Sequence, residues 1–145
     1  MHRDSQFDSL HPALRERAEL PDVVKEQVGY ADTNTTTVTI STLADQFEES
    51  VAGISNPKVL LKSDTQGHDL DVIAGARGLS QQVVAVLVEL SVQPIYEHQP
   101  YLTRVIDSLK GEGFIPIAFQ PISISSDKLR VAEFDGLFVR QNSPV

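Results

Sequence analysis

The chain has 145 residues, 41% of them hydrophobic and 22% charged, the proportions of one soluble globular domain that buries roughly 68% of its unfolded surface. Twelve Lys and Arg stand against 20 Asp and Glu, a net charge of −8 that repels a nucleic-acid backbone or an anionic membrane and suits a basic or neutral small molecule. Cysteine is absent, which excludes disulfides, Fe–S clusters, thiolate zinc sites and cysteine nucleophiles. The first residues carry no apolar leader core, and the longest apolar run, Val83 to Val88, has six residues against ~20 for a membrane-spanning helix. The expectation is a cytoplasmic chain with neither membrane nor nucleic acid as partner.

In chain order, residues 1–36 mix charge, two prolines and a polar T-N-T-T-T stretch, and read as an N-terminal arm of undefined structure ahead of a unit spanning 37–145. Val38-Thr39-Ile40 alternates like a strand, and Thr42 followed by Asp45 resembles an N-cap with its capping acid, opening a short helix through Phe47. Val59 to Leu61, running into Lys62-Ser63-Asp64-Thr65-Gln66-Gly67, reads as a buried parallel strand and a turn. A helix opens at Asp69 with Leu70, Ile73 and Ala74 on its apolar face, and Gly78 stops it. Val83 to Val88 is a second buried strand, ending in Glu89. Leu102, Val105, Ile106 and Leu109 keep helical spacing up to Gly111 and Gly113. Phe114 to Phe119 is a strand whose Pro116 requires an amide position with no central partner. A Ser-rich turn through Asp127-Lys128 leads to a last strand, Phe134 to Val139. Strands and helices alternate in the manner of a parallel α/β sheet closed by a hairpin.

In open α/β sheets ligands gather at the carboxyl ends of the strands, and Asp64 and Glu89 occupy two such ends. Neighbouring strands lie ~4.8 Å apart, so adjacent strands would place both carboxylates in one cleft, where one can act as base or both can hold a divalent cation. The plainer reading makes Asp64 a turn or cap residue and pairs Glu89 with a lysine. Gly67 supplies a backbone conformation that a side chain would obstruct, and Asp69 sits at the positive end of its helix. His68 is a candidate proton acceptor at neutral pH, or simply exposed. Lys62, two positions before Asp64 on the same face, is its candidate ion-pair partner. Gln93 to Tyr101, with Tyr96, reads as a surface loop over the cleft or a plain connection. No P-loop, H-E-x-x-H, nucleophile elbow or dinucleotide glycine motif occurs, and no metal site is assigned.

The string V-L-L-K-S-D-T-Q-G-H-D-L-D-V-I-A-G-A from Val59 to Ala76, followed by V-L-V-E-L-S at Val86 to Ser91, resembles the central block of the FkbM-type methyltransferases. The strand and Thr-Leu element at Val38 to Asp45, Tyr96, the Gly113-Phe114 step and the closing strand Phe134 to Arg140 extend the likeness from about Thr37 to the end. The resemblance implies a partial Rossmann-like fold: a mostly parallel sheet with flanking helices and a C-terminal antiparallel hairpin. It implies S-adenosyl-L-methionine as cofactor and methyl transfer to a hydroxyl of a small-molecule acceptor, a saccharide or a polyketide-like intermediate. Carried over by position, Asp64, His68 and Glu89 become catalytic candidates, and Lys62, Gly67, Asp69 and Tyr96 substrate-binding ones. Ser63 replaces the family's usual hydrophobic residue and Asp69 its commoner Glu. No Asp-x-Gly-x-x-x-Gly turn precedes Thr37, so the expectation is a carboxyl-terminal part of the fold without its cofactor half. That chain is either enzymatic in lineage or a non-catalytic module that pairs with itself or a partner, most simply as a homodimer.

Overall fold

The computed structural model describes residues 9–11, 36–124 and 129–141. The expected arm and Ser-rich turn otherwise lie outside the described residues. Helix α1 (Leu43–Ser50) is capped as its sequence requires, with the Thr42 hydroxyl accepting a 3.1 Å bond from the Asp45 amide. Strand β1 (Val59–Ser63) leads through a turn to α2 (Asp69–Gly75), then β2 (Val83–Ser91), α3 (Leu102–Gly111), β3 (Phe114–Ile124) and β4 (Val131–Arg140). Among the described residues no helix is long and apolar enough to cross a membrane.

The strands form one sheet in the order β1-β2-β4-β3. β1 and β2 are parallel neighbours, Lys62 beside Leu87 and Ser63 beside Val88, joined by a connection through α2. A parallel pair needs such a crossover, and the sequence between the two apolar runs supplies it. The mostly parallel sheet expected from the resemblance is not what forms: β4 inserts between β2 and β3 and runs antiparallel to both. One parallel pair and two antiparallel pairs make a mixed α/β sheet. The cause is the short connection between β3 and β4, which can only return the chain as an antiparallel neighbour.

Three further expectations change. Residues 37–40 are exposed and belong to no strand, because alternation alone makes no strand without a hydrogen-bonded neighbour. β2 runs past Glu89 to Ser91, since β4 continues to pair with it there. Ala74 is exposed; Ile73 is the residue of α2 that enters the core.

Side chains alternate across β2. Val86, Val88 and Leu90 are at most 1% exposed and face the helices, meeting Ile73, Val105, Leu109, Phe114 and Phe138 in one cluster. Each such side chain contributes ~1.5–3 kcal/mol of transfer free energy, so this face holds the fold. The alternate residues, Ala85, Leu87 and Glu89, are only half-buried, and Leu60 and Lys62 beside them on β1 are exposed. β3 is an edge strand, which accommodates Pro116 and Pro121. A small cavity of about 60 Å³, lined by Leu61, Val83, Phe114 and Arg140 among others, lies at the amino ends of the parallel strands, away from both acids.

Candidate functional site

At the carboxyl ends of the parallel pair the chain must leave β1 and enter α2 within five residues, Asp64 to His68. Gln66 and Gly67 absorb the change of direction with φ of +51° and +115°. Only glycine adopts the second value without strain, and a Cβ there would stand 3.1 Å from the His11 ring and 3.5 Å from the Gln99 side chain. The obstruction expected at Gly67 is therefore real, and it comes from the protein itself.

The turn brings Asp64 and Glu89 into one cluster. The Gln66 amide nitrogen donates to Asp64 Oδ1 at 3.3 Å and to Glu89 Oε1 at 3.1 Å, bridging the two acids although Glu89 lies 23 residues beyond Gln66 in sequence. Lys62 Nζ donates to Asp64 Oδ2 at 3.1 Å, and both side chains are exposed. Asp64 raises the Lys62 ammonium above its usual value, chiefly by that hydrogen bond. An exposed pair of this kind adds little stability. Lys62 thus touches the site through Asp64, as its partner.

Glu89 is half-buried, and its carboxyl is pushed from 4.5 to about 8, first by burial and then by the charges of Glu133, Asp64, Asp69 and Asp135. Asp135 is its direct cross-strand neighbour and Glu133 faces Ser91 one step further along. These neighbouring negative charges disfavour ionisation of Glu89. Among the described residues no group of acids or histidines has the arrangement of a metal site.

The remaining candidates occupy different places. Asp69 is 4% exposed, with Oδ1 accepting from the Ser63 hydroxyl at 2.6 Å and the Thr65 hydroxyl at 3.2 Å. That carboxylate ties β1 to the first turn of α2, and an apolar residue in place of Ser63 would remove the shorter of its two hydrogen bonds. Tyr96 is 2% exposed within a packed loop. That loop is pinned by Gln99, whose Oε1 accepts from the Ile95 and Tyr96 amides and whose Nε2 donates to Ser91 Oγ. His68 is engaged by other groups: its Nδ1 lies 2.8 Å from Asp71 Oδ2, and the His11 ring stacks flat on it at 3.9 Å.

Reading along the sequence passes over four contributors: Gln66, Gln99, Asp71 and the Ser9–His11 segment. Gln66 stands inside the K-S-D-T-Q-G-H string, but its role depends on Glu89 arriving beside it, which no local pattern announces. Ser9 Oγ donates to the Gln66 carbonyl at 2.7 Å, and nothing between residues 11 and 66 foretells that contact.

No curated protein and no solved structure matches the chain. The sequence profile described as the methyltransferase FkbM domain matches residues 4–116. The match takes in residues 4–36, which the motifs alone leave out, and stops within β3. It spans more than half of the chain, with the Asp64 turn, α2 and the Glu89 strand all inside it, and on that ground the chain belongs to the FkbM methyltransferase domain family.

Proposed function

We propose that this domain serves the acceptor side of a methyl transfer to a hydroxyl group, with Glu89 taking the hydroxyl proton and Asp64 and Gln66 holding Glu89 in place. The observation that carries this reading is the Gln66 bridge between two carboxylates, one of them shifted to about 8. A base whose pKa lies near the working pH combines availability with proton affinity. The ionised Glu89 carboxylate is the proton-accepting form, so turnover rises with pH through about 8.

S-adenosylmethionine would supply the methyl group in this family. The described residues offer it no preformed cradle at the strand-end turn, where a Cβ on Gly67 would meet His11 and Gln99, so any binding of the donor by them is weak. The chemistry assigned to this chain is therefore confined to the acceptor, a small molecule such as a saccharide or polyketide-like alcohol.

The test is transfer of a labelled methyl group from millimolar S-adenosylmethionine to a panel of hydroxylated acceptors. Wild-type chain is expected to label at least one acceptor, and Glu89→Gln to lose about 10²-fold or more of the rate, the usual worth of a general base. Absence of transfer to every acceptor, or equal rates for the two proteins, contradicts the reading.

A second reading, a module that pairs with another copy of itself, is favoured by the sheet's outer residues. Leu60 on β1 and Ile115, Ile117, Phe119, Ile122 and Ile124 on β3 are all at least 41% exposed, and unprotected apolar edges are templates for association. Light scattering across a concentration series would show a dimer on this reading and a constant monomer mass against it.

A further inference from the structure

Among the described residues, two buried side-chain acceptors at this turn have no hydrogen-bond partner: Gln66 Oε1 and His68 Nε2. They flank Gly67. An orphaned buried acceptor forfeits the hydrogen bonds that water gave it in the unfolded chain, and two of them one residue apart call for an explanation. Gln66 is 93% buried and its amide nitrogen is already committed to both carboxylates, so rotating the amide would only place an oxygen against two acids. At His68 the ring orientation is equally fixed. Asp71 is an acceptor, so in the neutral imidazole Nδ1 carries the proton and Nε2 the lone pair.

The Ser9–His11 segment lies on the turn that carries these atoms, against the Gln66 carbonyl and the His68 ring. Ser9 Oγ donates to the Gln66 carbonyl at 2.7 Å and accepts from the His11 amide at 3.0 Å, fixing the segment on the turn. His11 stacks on His68 with an angle of 6° between the rings and meets His98 edge-on at 5.8 Å. Parallel stacking rules out convergence of the two rings on a common ion. Burial and the neighbouring His68 and His98 lower the His11 pKa, with Asp71 and Glu97 acting in the opposite sense, so the ring favours the neutral form that can lie on another imidazole.

We propose that Ser9–His11 is a lid, closed in this structure, over a docking site for hydrogen-bond donors whose acceptors are His68 Nε2 and Gln66 Oε1, with Asp71 the positioning residue that turns the His68 lone pair toward that site. Among the described residues the contacts that close the lid are one hydroxyl bond, one ring stack and one edge-on ring contact, few enough to break without disturbing the sheet beneath. The closed state leaves both acceptors unpartnered, so a ligand carrying hydroxyl donors gains two hydrogen bonds by lifting it. The inference rests on the reading of this turn as the acceptor side of the methyl-transfer site.

The test is the rate at which diethyl pyrocarbonate acylates His68 in the 145-residue chain at neutral pH, read by peptide mass spectrometry, with His98, which is exposed, and added N-acetylhistidine as references. In wild type His68 should react far more slowly than His98. His11→Ala, and to a lesser extent Ser9→Ala, should accelerate His68 by about tenfold relative to N-acetylhistidine, the protection that a local opening equilibrium removes. The comparison is made in variants whose β2 amides keep wild-type hydrogen-exchange protection. A wild-type His68 as reactive as His98, or no acceleration in either variant, overturns the lid. The readout needs no turnover, so a gated His68 in a chain without methyl transfer would defeat the functional reading and leave the lid standing.

Discussion

Glu89 is the residue on which structure and chemistry meet most closely. Its folded pKa of about 8 lies above the 4.5 of the unfolded chain, so between these values the folded state binds more protons than the unfolded one. By linkage its contribution to stability is fully present below about 4.5 and is lost as pH rises through about 8. Glu89→Gln removes the group that titrates. The melting temperature of wild type should therefore fall across that window, and the variant's should fall less; parallel curves for the two proteins would show that the side chain is not shifted. If Glu89 is the base proposed above, activity and stability are thus expected to move in opposite directions with pH at one carboxyl. The neighbourhood of the two acids was visible in the sequence: Asp64 follows the apolar stretch of β1 and Glu89 the β-branched run of β2, toward the carboxyl ends where the α/β arrangement puts its ligands. The assignment of Asp69 was harder to reach, because its burial follows from the Ser63 and Thr65 hydroxyls, and a carboxylate at a helix start looks the same whether it caps the turn or faces a ligand.

At the scale of elements, the strands and helices were legible wherever one apolar face decides them: β1, β2, α3 and the start of β3 follow from runs of Val, Leu and Ile at the appropriate period. Thr42 gave the start of α1 through a local bond. Pairing is not local, and there the sequence misleads; residues 37–40 have a strand's alternation without a strand's neighbour, and the insertion of β4 between β2 and β3 leaves no periodic trace. Gly136 is a consequence of that insertion. It pairs with Val88, and a Cβ there would stand 2.5 Å from Leu90 Cδ1 and 2.9 Å from the Phe138 ring. Gly136→Ala is expected to cost about 1–3 kcal/mol by overpacking. Leu90→Ala in the same chain should recover part of that loss, so that the double variant is less destabilised than the sum of the singles, since the two side chains compete for one space. Urea unfolding of the three proteins checks this, and strict additivity would place the clash elsewhere.

For the whole molecule, the question is how an FkbM methyltransferase domain of this length handles its donor. The sequence contains no Asp-x-Gly-x-x-x-Gly turn, Gly29 being the lone glycine before Gly53, and the turn at Gly67 is filled by His11 and Gln99. Calorimetric titration with S-adenosylmethionine should accordingly give only weak binding, in the millimolar range or about 4 kcal/mol, which supports transfer only at millimolar donor. A low-micromolar dissociation constant, worth ~8 kcal/mol, would mean that residues 4–36, which the family match includes, supply a cradle of a different kind.

The central claim is that folding brings Asp64, Gln66 and Glu89 into one proton-handling cluster at the ends of the parallel strands. Its most direct test is an NMR pH titration of the Glu89 side-chain carboxyl carbon in the selectively labelled chain. The midpoint is predicted near 8 in wild type and lower in Asp64→Asn, which removes a facing charge while leaving Gln66 a partner. A wild-type midpoint at the ordinary 4.5, unmoved by that substitution, would contradict the account.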